Sequence, residues 1–293
     1  MITRVTTQMS MTAASARLQA GAAKLAQLTE QATTLQNISR PSDDPAGTVS
    51  SMQVRKEQAA AAQYTRNASD AVGWLATTDS TLSSVYSVLN SVRDLTVQAA
   101  NSGTMSDTDR DAFVTQFQSL KTELEARANT TYGTRSVFAG SSTASAAYDP
   151  TTGWAAAGTD VTRRVGDGTT VRVDTPGADV FGSGSTSVFA MIDSIVGDLQ
   201  SGTNTNPRIN DVDAAIATVR GAQADVGVRH AAALSAQDSL KSATVSLENR
   251  RAGIEDKDLA KAVLDLQVQQ TNYQAALAVT AKVLQPTLMD YLS

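Results

Sequence analysis

Residues 259–291 read LAKAVLDLQVQQTNYQAALAVTAKVLQPTLMDY. Leu259, Val263, Leu266, Gln270, Tyr273, Leu277, Thr280, Leu284 and Tyr291 recur at intervals of three, four and seven, the rhythm of one apolar stripe on a helix. Near the other end of the chain Leu18, Leu25, Leu28, Ala32 and Leu35 keep the same rhythm. Stripes this narrow suit the seam of a coiled coil rather than a helix buried on all sides. The two ends are therefore expected to pair, leaving the middle of the chain to protrude, as in the subunit of a polymer. On stripe geometry alone, a monomeric bundle whose stripes face only each other is the alternative.

Charge favours the pairing. Residues 1–40 hold Arg4, Arg17, Lys24 and Arg40 against Glu30, whereas residues 254–293 hold Lys257, Lys261 and Lys282 against Glu255, Asp256, Asp258, Asp265 and Asp290. The first segment is net positive and the second net negative, although exposed ion pairs contribute only ~0–1 kcal/mol each. Large apolar side chains are few for the backbone they must order. Each end is thus expected to be weakly held in an isolated chain and firmly held once neighbouring copies add surface. Gln270 and Thr280 within the seam fit that expectation, because polar seam residues set register at some cost in stability.

Proline marks the joints further in. The six sit at 41, 45, 150, 176, 207 and 286, so 46–149 and 208–285 are free for long helices. The first helix is expected to end near Asn37, ahead of Ser39-Arg40-Pro41-Ser42. Asp44 then suits an N-cap and Pro45 the first helical position. Tyr64, Ala68, Ala71, Leu75, Thr78, Leu82, Val85, Leu89, Val92, Thr96 and Ala99 hold an unbroken three-four spacing up to Asn101-Ser102-Gly103. Ser106 and Asp109 form a capping box opening a helix with Phe113, Phe117, Leu120 and Leu124 inward.

Residues 141–186 change character. Glycines and two prolines punctuate short alternating runs at Val161–Val165 and Thr170–Val173, with the hairpin signal Asp167-Gly168 between them. Helix is expected again at 187–200 and after Asn210, where Asn210 and Asp213 suggest a cap. Val212, Val219, Val226, Ala233, Leu240 and Leu247 then repeat every seven residues beside a mostly polar line of Ile216, Gln223, His230, Gln237 and Thr244. Arg250-Arg251-Ala252-Gly253 is the expected joint into the last helix. The fold class is mainly α, a long antiparallel helical bundle or coiled coil with paired N- and C-terminal helices and a small β-rich insertion. The β-rich insertion is expected over 141–186.

Composition narrows the function. Net charge is −5 with a pI near 4.9, and no basic run tracks a phosphate backbone, so nucleic acid is not an expected partner. Aromatic residues are only 4%, too few for a thick layered enzyme core. The absence of cysteine excludes disulfides and thiolate chemistry. No apolar run approaches the ~20 residues of a membrane span, and the ends lack the Lys-rich face of a surface-lying helix, so no membrane partner is expected. Met1–Met11 is too polar for a cleaved secretory leader, which fits a cytoplasmic protein or export by a route without one.

Catalysis is not expected. His230 is the sole histidine and lies on the polar line of its helix. Asp107-Thr108-Asp109-Arg110-Asp111 imitates a calcium loop, but the sixth and twelfth positions are Ala112 and Gln118 rather than Gly and Glu. Acids opening a helix explain the segment better. Gly166-Asp167-Gly168 and Gly182-Ser183-Gly184 lack the context of a phosphate cradle. No catalytic, cofactor or metal residues are assigned.

Five segments carry a resemblance. Arg40-Pro41-Ser42-Asp43-Asp44-Pro45-Ala46-Gly47 resembles the hinge of the flagellin superfamily, and Tyr132–Gly140 is similar to the point where its members leave their helical stalk. The C-terminal Ile254–Ala260, Tyr273–Ala278 and Leu284–Leu292 resemble, within that superfamily, the hook-associated protein 3 family of hook–filament junction proteins rather than filament flagellins. The terminal stripes supply the expected assembly seam of Leu18, Leu25, Leu28, Leu35, Leu259, Val263, Leu266, Tyr273, Leu277 and Leu284; the resemblance implies a hinge at Arg40, Pro41, Asp43, Asp44, Pro45 and Gly47, a terminal-helix domain of 1–40 with 255–293, a helical middle domain of 44–140 with 187–253, and 141–186 on the outside. It implies self-assembly as a ring in the axial structure, contacts with hook-associated protein 1 and flagellin, and an export chaperone. It also implies type III export without a cleaved leader to an extracellular position on the flagellum. The alternatives are a divergent flagellin, or a secreted binding module displaying 141–186.

Overall fold

In the computed structural model, which describes residues 2–101, 106–144, 146–155 and 158–284, helix α1 (Ile2–Thr34) stops three residues short of the expected Asn37. Leu35 ends it by turning to φ 56°, while its N–H still reaches the Gln31 carbonyl at 2.9 Å. Helix α2 (Pro45–Asn101) begins as the sequence indicates: Asp44 Oδ1 accepts the Gly47 N–H at 2.8 Å and Pro45 is the first helical residue. Gly103, assigned above to the stop of this helix, lies outside the described residues.

The chain divides into two compact units, residues 1–59 with 244–293 and residues 60–243. In the second unit the long line on α2 turns inward, with Ala68, Ala71, Leu75, Thr78, Leu82, Val85, Leu89, Val92, Thr96 and Ala99 all buried. Helix α3 (Asp107–Ala128) opens on the expected Ser106–Asp109 capping box and buries Val114, Phe117 and Leu124. It packs against α5 (Val188–Gln200), joined by Lys121 Nζ to Asp193 at 2.7 Å. Helix α6 (Arg208–Glu255) buries the seven-residue line, with Val212, Val219, Val226 and Ala233 fully enclosed. Antiparallel side-chain bonds fix its register on α2: Arg93–Asp213 at 2.6 Å, Gln223–Asp79 at 3.2 Å and Gln237–Ser69 at 3.1 Å.

Two further boundaries move. Helix α6 begins at Arg208, so Asn210 lies inside its first turn rather than capping it, and the Arg208 N–H instead bonds the Thr205 carbonyl at 2.9 Å. The joint expected at Arg250–Gly253 is helical; the chain turns at 256–258, before α7 (Leu259–Leu284). Glycine costs a helix only about 1 kcal/mol, and ion pairs from Glu248 and Glu255 to Arg251 hold that turn together.

The segment 141–186 holds short antiparallel ribbons and shares its core with the helices. Strands β1 (Thr131–Tyr132) and β2 (Arg135–Ser136) pair just ahead of it, followed by β3 (Tyr148–Asp149) with β4 (Gly153–Trp154), and β5 (Thr162–Arg164) with β6 (Thr170–Arg172). Gly168 at φ 71° lets the Asp167-Gly168 turn close between β5 and β6. The insertion is anchored twice on α2: Asn67 donates to the Arg164 carbonyl at 2.7 Å, and Arg163 pairs with Asp70 at 2.5 Å. Helix α4 (Gly177–Phe181) sets Phe181 between Phe138 and Phe189, at centroid distances of 5.4 and 5.9 Å. Trp154 lies so close to Gly177 that no β-carbon fits there.

Trp74 is the second meeting point of helix and insertion. It is 1% exposed. Tyr132 tilts against it at 5.7 Å, and the Arg135 and Arg163 guanidinium groups lie over its ring at 5.8 and 5.7 Å.

Candidate assembly interface

Helices α1 and α7 pack together within the first unit. Small residues make the approach close: a β-carbon on Gly21 would stand 3.2 Å from the Tyr273 ring, and Gln269 Nε2 donates to the Gly21 carbonyl at 3.3 Å. Leu28, Gln31 and Ala262 are buried in this contact zone. Leu18, Leu25, Leu266 and Tyr273 are half-buried.

Other stripe residues point elsewhere. Leu35, Leu259, Val263 and Leu277 are exposed, and the side chain of Leu284 and all of Tyr291 lie outside the described residues. The intrachain contact thus runs through Ala262, Leu266, Gln269 and Tyr273, a line rotated from the one that the largest side chains mark. Leu264, Val268 and Val279 are exposed on a further face of α7. The opposite charges of the two ends do not meet: among the described residues no ion pair joins α1 to α7, and Lys257 bonds Gln31 at 3.2 Å and Asp265 at 3.5 Å.

The hinge residues build a tight turn. Arg40 donates its N–H to Asp43 Oδ2 at 2.9 Å, and the Asp43 N–H returns to the Arg40 carbonyl at 2.9 Å. Arg40 also reaches Glu30 at 3.8 Å. Pro41 walls a cleft of about 200 Å³ with Ile38, Thr48, Met52 and Arg55, and Asp44, Pro45 and Gly47 form the cap of α2.

At the same level the two connecting strands are tied together. Gln36 and Asp256 form an antiparallel bridge, the Asn37 N–H bonds the Glu255 carbonyl at 2.7 Å, and the Lys257 N–H bonds the Leu35 carbonyl at 2.9 Å. Glu255, which sequence reading counted only among the charges of the C-terminal segment, has a defined place here. Its buried carboxylate accepts from Ser51, from Arg55 Nε at 2.8 Å and from Arg251 Nη1 at 3.0 Å. Its spacing of four from Arg251, at the end of an apolar heptad, was the available signal.

The bond from Arg55, aided by Ser51 and Arg251 and opposed by burial, lowers the Glu255 carboxyl from the usual 4.5 to about 2. A depressed carboxyl pKa contributes stability above its unfolded value and loses it as pH falls toward the folded one. Relative to Glu255→Gln, the native chain should be more stable by about 1–3 kcal/mol at neutral pH, the lower part reflecting the exposed Arg55 partner. That advantage should vanish between pH 4.5 and about 2. Denaturant titrations at several pH values check this, and a difference independent of pH would contradict it.

Among the described residues there is no group of His, Asp and Glu able to hold a metal, and no helix long and apolar enough to cross a membrane. The bacterial flagellin N-terminal helical region matches residues 5–143, and the bacterial flagellin C-terminal helical region matches 209–292. Flagellar hook-associated protein 3 of Salmonella typhimurium is 30% identical over 218 residues, covering 69% of this chain and 68% of that protein. A Listeria monocytogenes flagellin is 38% identical over 109 residues, 36% of this chain and 37% of that one. The crystal structure of Xanthomonas campestris FlgL shares the fold with a TM-score of 0.60 at 18% identity, covering 68% of this chain and 99% of that chain. With both helical regions matched and a hook-associated relative aligned across two thirds of its length, the chain belongs to the flagellin superfamily, in its hook-associated protein 3 branch.

Proposed function

We propose that this protein is a structural subunit of the bacterial flagellum, assembling at the junction of hook and filament through its paired terminal helices. One observation carries the assembly reading. Between Leu259 and Leu284, α7 holds only Lys261, Asp265 and Lys282 as charged residues. Leu259, Val263 and Leu277 are exposed on one face, and Leu264, Val268 and Val279 on another. Polar side chains such as Gln267, Gln274 and Asn272 separate these apolar faces, and α1 covers neither, so each is suited to burial against a further helix. Copies of the same chain supply the remaining cover, forming a ring in the axial structure.

The named partners follow from the family relationship: hook-associated protein 1 on the hook side, flagellin on the filament side, and an export chaperone shielding α7 before secretion. Type III export would place the protein outside the cell, and its role is mechanical rather than catalytic. The longer match to a hook-associated protein, against about a third of the chain for a flagellin, favours junction over filament. Electron microscopy of cells lacking the gene tests this: hooks without filaments, with flagellin shed into the medium, are expected, and full-length filaments would refute it.

A further inference from the structure

Two surfaces of the terminal pair have complementary shapes. On α1 the exposed residues Ala22, Ala26, Thr29 and Thr33 recur at intervals of four, three and four, and they floor a shallow groove of about 690 Å³. Leu25 and, from α7, Tyr273 complete its lining, with Glu30 as the charged member among the described residues. On α7 the exposed residues Leu264, Val268, Thr271, Ala275 and Val279 recur at intervals of four, three, four and four, as a ridge. Its largest side chains stand toward the start of the helix, and Lys261 lies roughly one turn ahead of them.

The ridge cannot fill the groove of its own chain. Leu264 and Tyr273 are nine residues apart, about two and a half turns, so they lie on opposite sides of α7. Tyr273 borders the groove, and the ridge faces away from it. A second copy meets no such obstacle. Its α7 can lie along the groove antiparallel to α1, in the sense already set within one chain, where Gly21 meets Gln269 and Gln31 meets Lys257. With Lys261 beside Glu30, equal advance of the two helices sets Leu264 over Ala26 and Val268 over Ala22. The charges favour that placement. Glu30 reaches only Arg40, at 3.8 Å, and Lys261 has no ion pair among the described residues. An exposed pair adds little energy, but it fixes register and disfavours the reversed direction.

We propose that the α1 groove of one copy receives the α7 ridge of a second copy, with Leu264 and Val268 seated over Ala26 and Ala22 and Lys261 beside Glu30. The inference rests on the reading that copies of this chain cover α7, and it names the surface that does so. It holds wherever in the axial structure the copies assemble. Ridge and groove lie on different sides of the terminal pair, so the contact is heterologous: each copy gives its ridge to one neighbour and its groove to another. Such a contact makes no closed dimer and repeats until a ring closes or a helix advances. The incoming α7 lies at the level of the resident one, so neighbours stand side by side rather than end to end.

The native chain has no cysteine, so introduced thiols report the contact. Ala26→Cys and Leu264→Cys, both at exposed positions, are expressed as separate copies in cells lacking the native protein, and isolated flagella are mildly oxidised. With both copies present, non-reducing gels should show a species of twice the subunit mass that reductant removes. Either copy alone should stay at the subunit mass. In otherwise native chains, Glu30→Lys and Lys261→Glu should each lower incorporation into flagella, and the two together should restore it. Flagella that contain both cysteine copies yet give no linked species overturn the inference and leave the assembly reading standing. Linked species from Ala26→Cys alone overturn it too, because α1 would then meet α1. Absence of the native chain itself from flagella removes the assembly reading, and the inference with it.

Discussion

Aspartate at both Leu264 and Val268 is expected to leave the isolated chain helical and soluble and to abolish its assembly. The two side chains are 61% and 52% exposed, so in the monomer the change touches nothing packed and should stay within about 0.5 kcal/mol per site. In an assembly that encloses α7 the same positions become interior, where an unpaired carboxylate costs several kcal/mol. Two such groups per subunit, repeated around a ring, exceed what contacts between copies can offset. Circular dichroism and sedimentation should show an unchanged monomer, and complementation of the gene deletion should give hooks without filaments. Filaments of normal length in the double variant would show that this face of α7 stays in water. Leu266→Asp makes a useful contrast, because Leu266 is half-buried against α1 and its replacement should disturb the monomer itself.

Trp74→Ala should cost about 3–5 kcal/mol of stability in residues 60–243, the range for emptying a large buried aromatic site. The ring does more than fill volume. It joins three elements, α2 that carries it, β2 through Arg135 and β5 through Arg163, with Tyr132 tilted against it. Removing it leaves two guanidinium groups over a cavity, so the insertion should loosen from α2 along with the loss of packing. Trp74→Phe keeps most of the apolar contact and a π-face for the arginines, and should lose roughly half as much. Urea unfolding monitored by far-ultraviolet circular dichroism gives both numbers. A Trp74→Ala midpoint close to the native one would mean that the insertion's aromatic cluster alone holds the two parts together.

Helix register proved more legible in the sequence than helix contact. The inward lines of α2 and α6 could be read directly, because large side chains at three-four and seven-residue spacing have one buried face to choose. Asp44-Pro45, Ser106-Asp109 and Asp167-Gly168 announced their caps and turn by side-chain chemistry that acts within four residues. The α1–α7 contact was harder. Its closest approach sets Gly21 against Tyr273 and Gln269, with Leu28, Ala262 and Leu266 in the same zone, while Leu259, Val263 and Leu277 of the same pattern lie on other sides. Spacing identifies a stripe but does not say whether the same chain or another copy covers it. The joint at 256–258 was hidden for a related reason. Gly253 looks like a breaker, yet Arg251 holds the turn through Glu248 and Glu255, and Asp258 supplies the cap for α7 by accepting the Lys261 N–H at 3.1 Å. Glu255 draws its importance from Ser51 and Arg55, some two hundred positions earlier, a relation that no local pattern contains.

The bridge between Gln36 and Asp256 bears on the order in which the molecule forms. Helices α1 and α7 are separated by more than 200 residues of chain, and closing a loop of that length from a random coil costs about 5 kcal/mol in entropy. Once α2 and α6 have zipped side by side, Leu35 and Lys257 are already neighbours and most of that penalty has been met. The ends can then close like a clasp from the bridge outward, each turn guiding the next. Starting from an extended chain, with no thiols to mispair, the molecule would regain its shape in that sequence: α2 with α6 first, the clasp of α1 and α7 last.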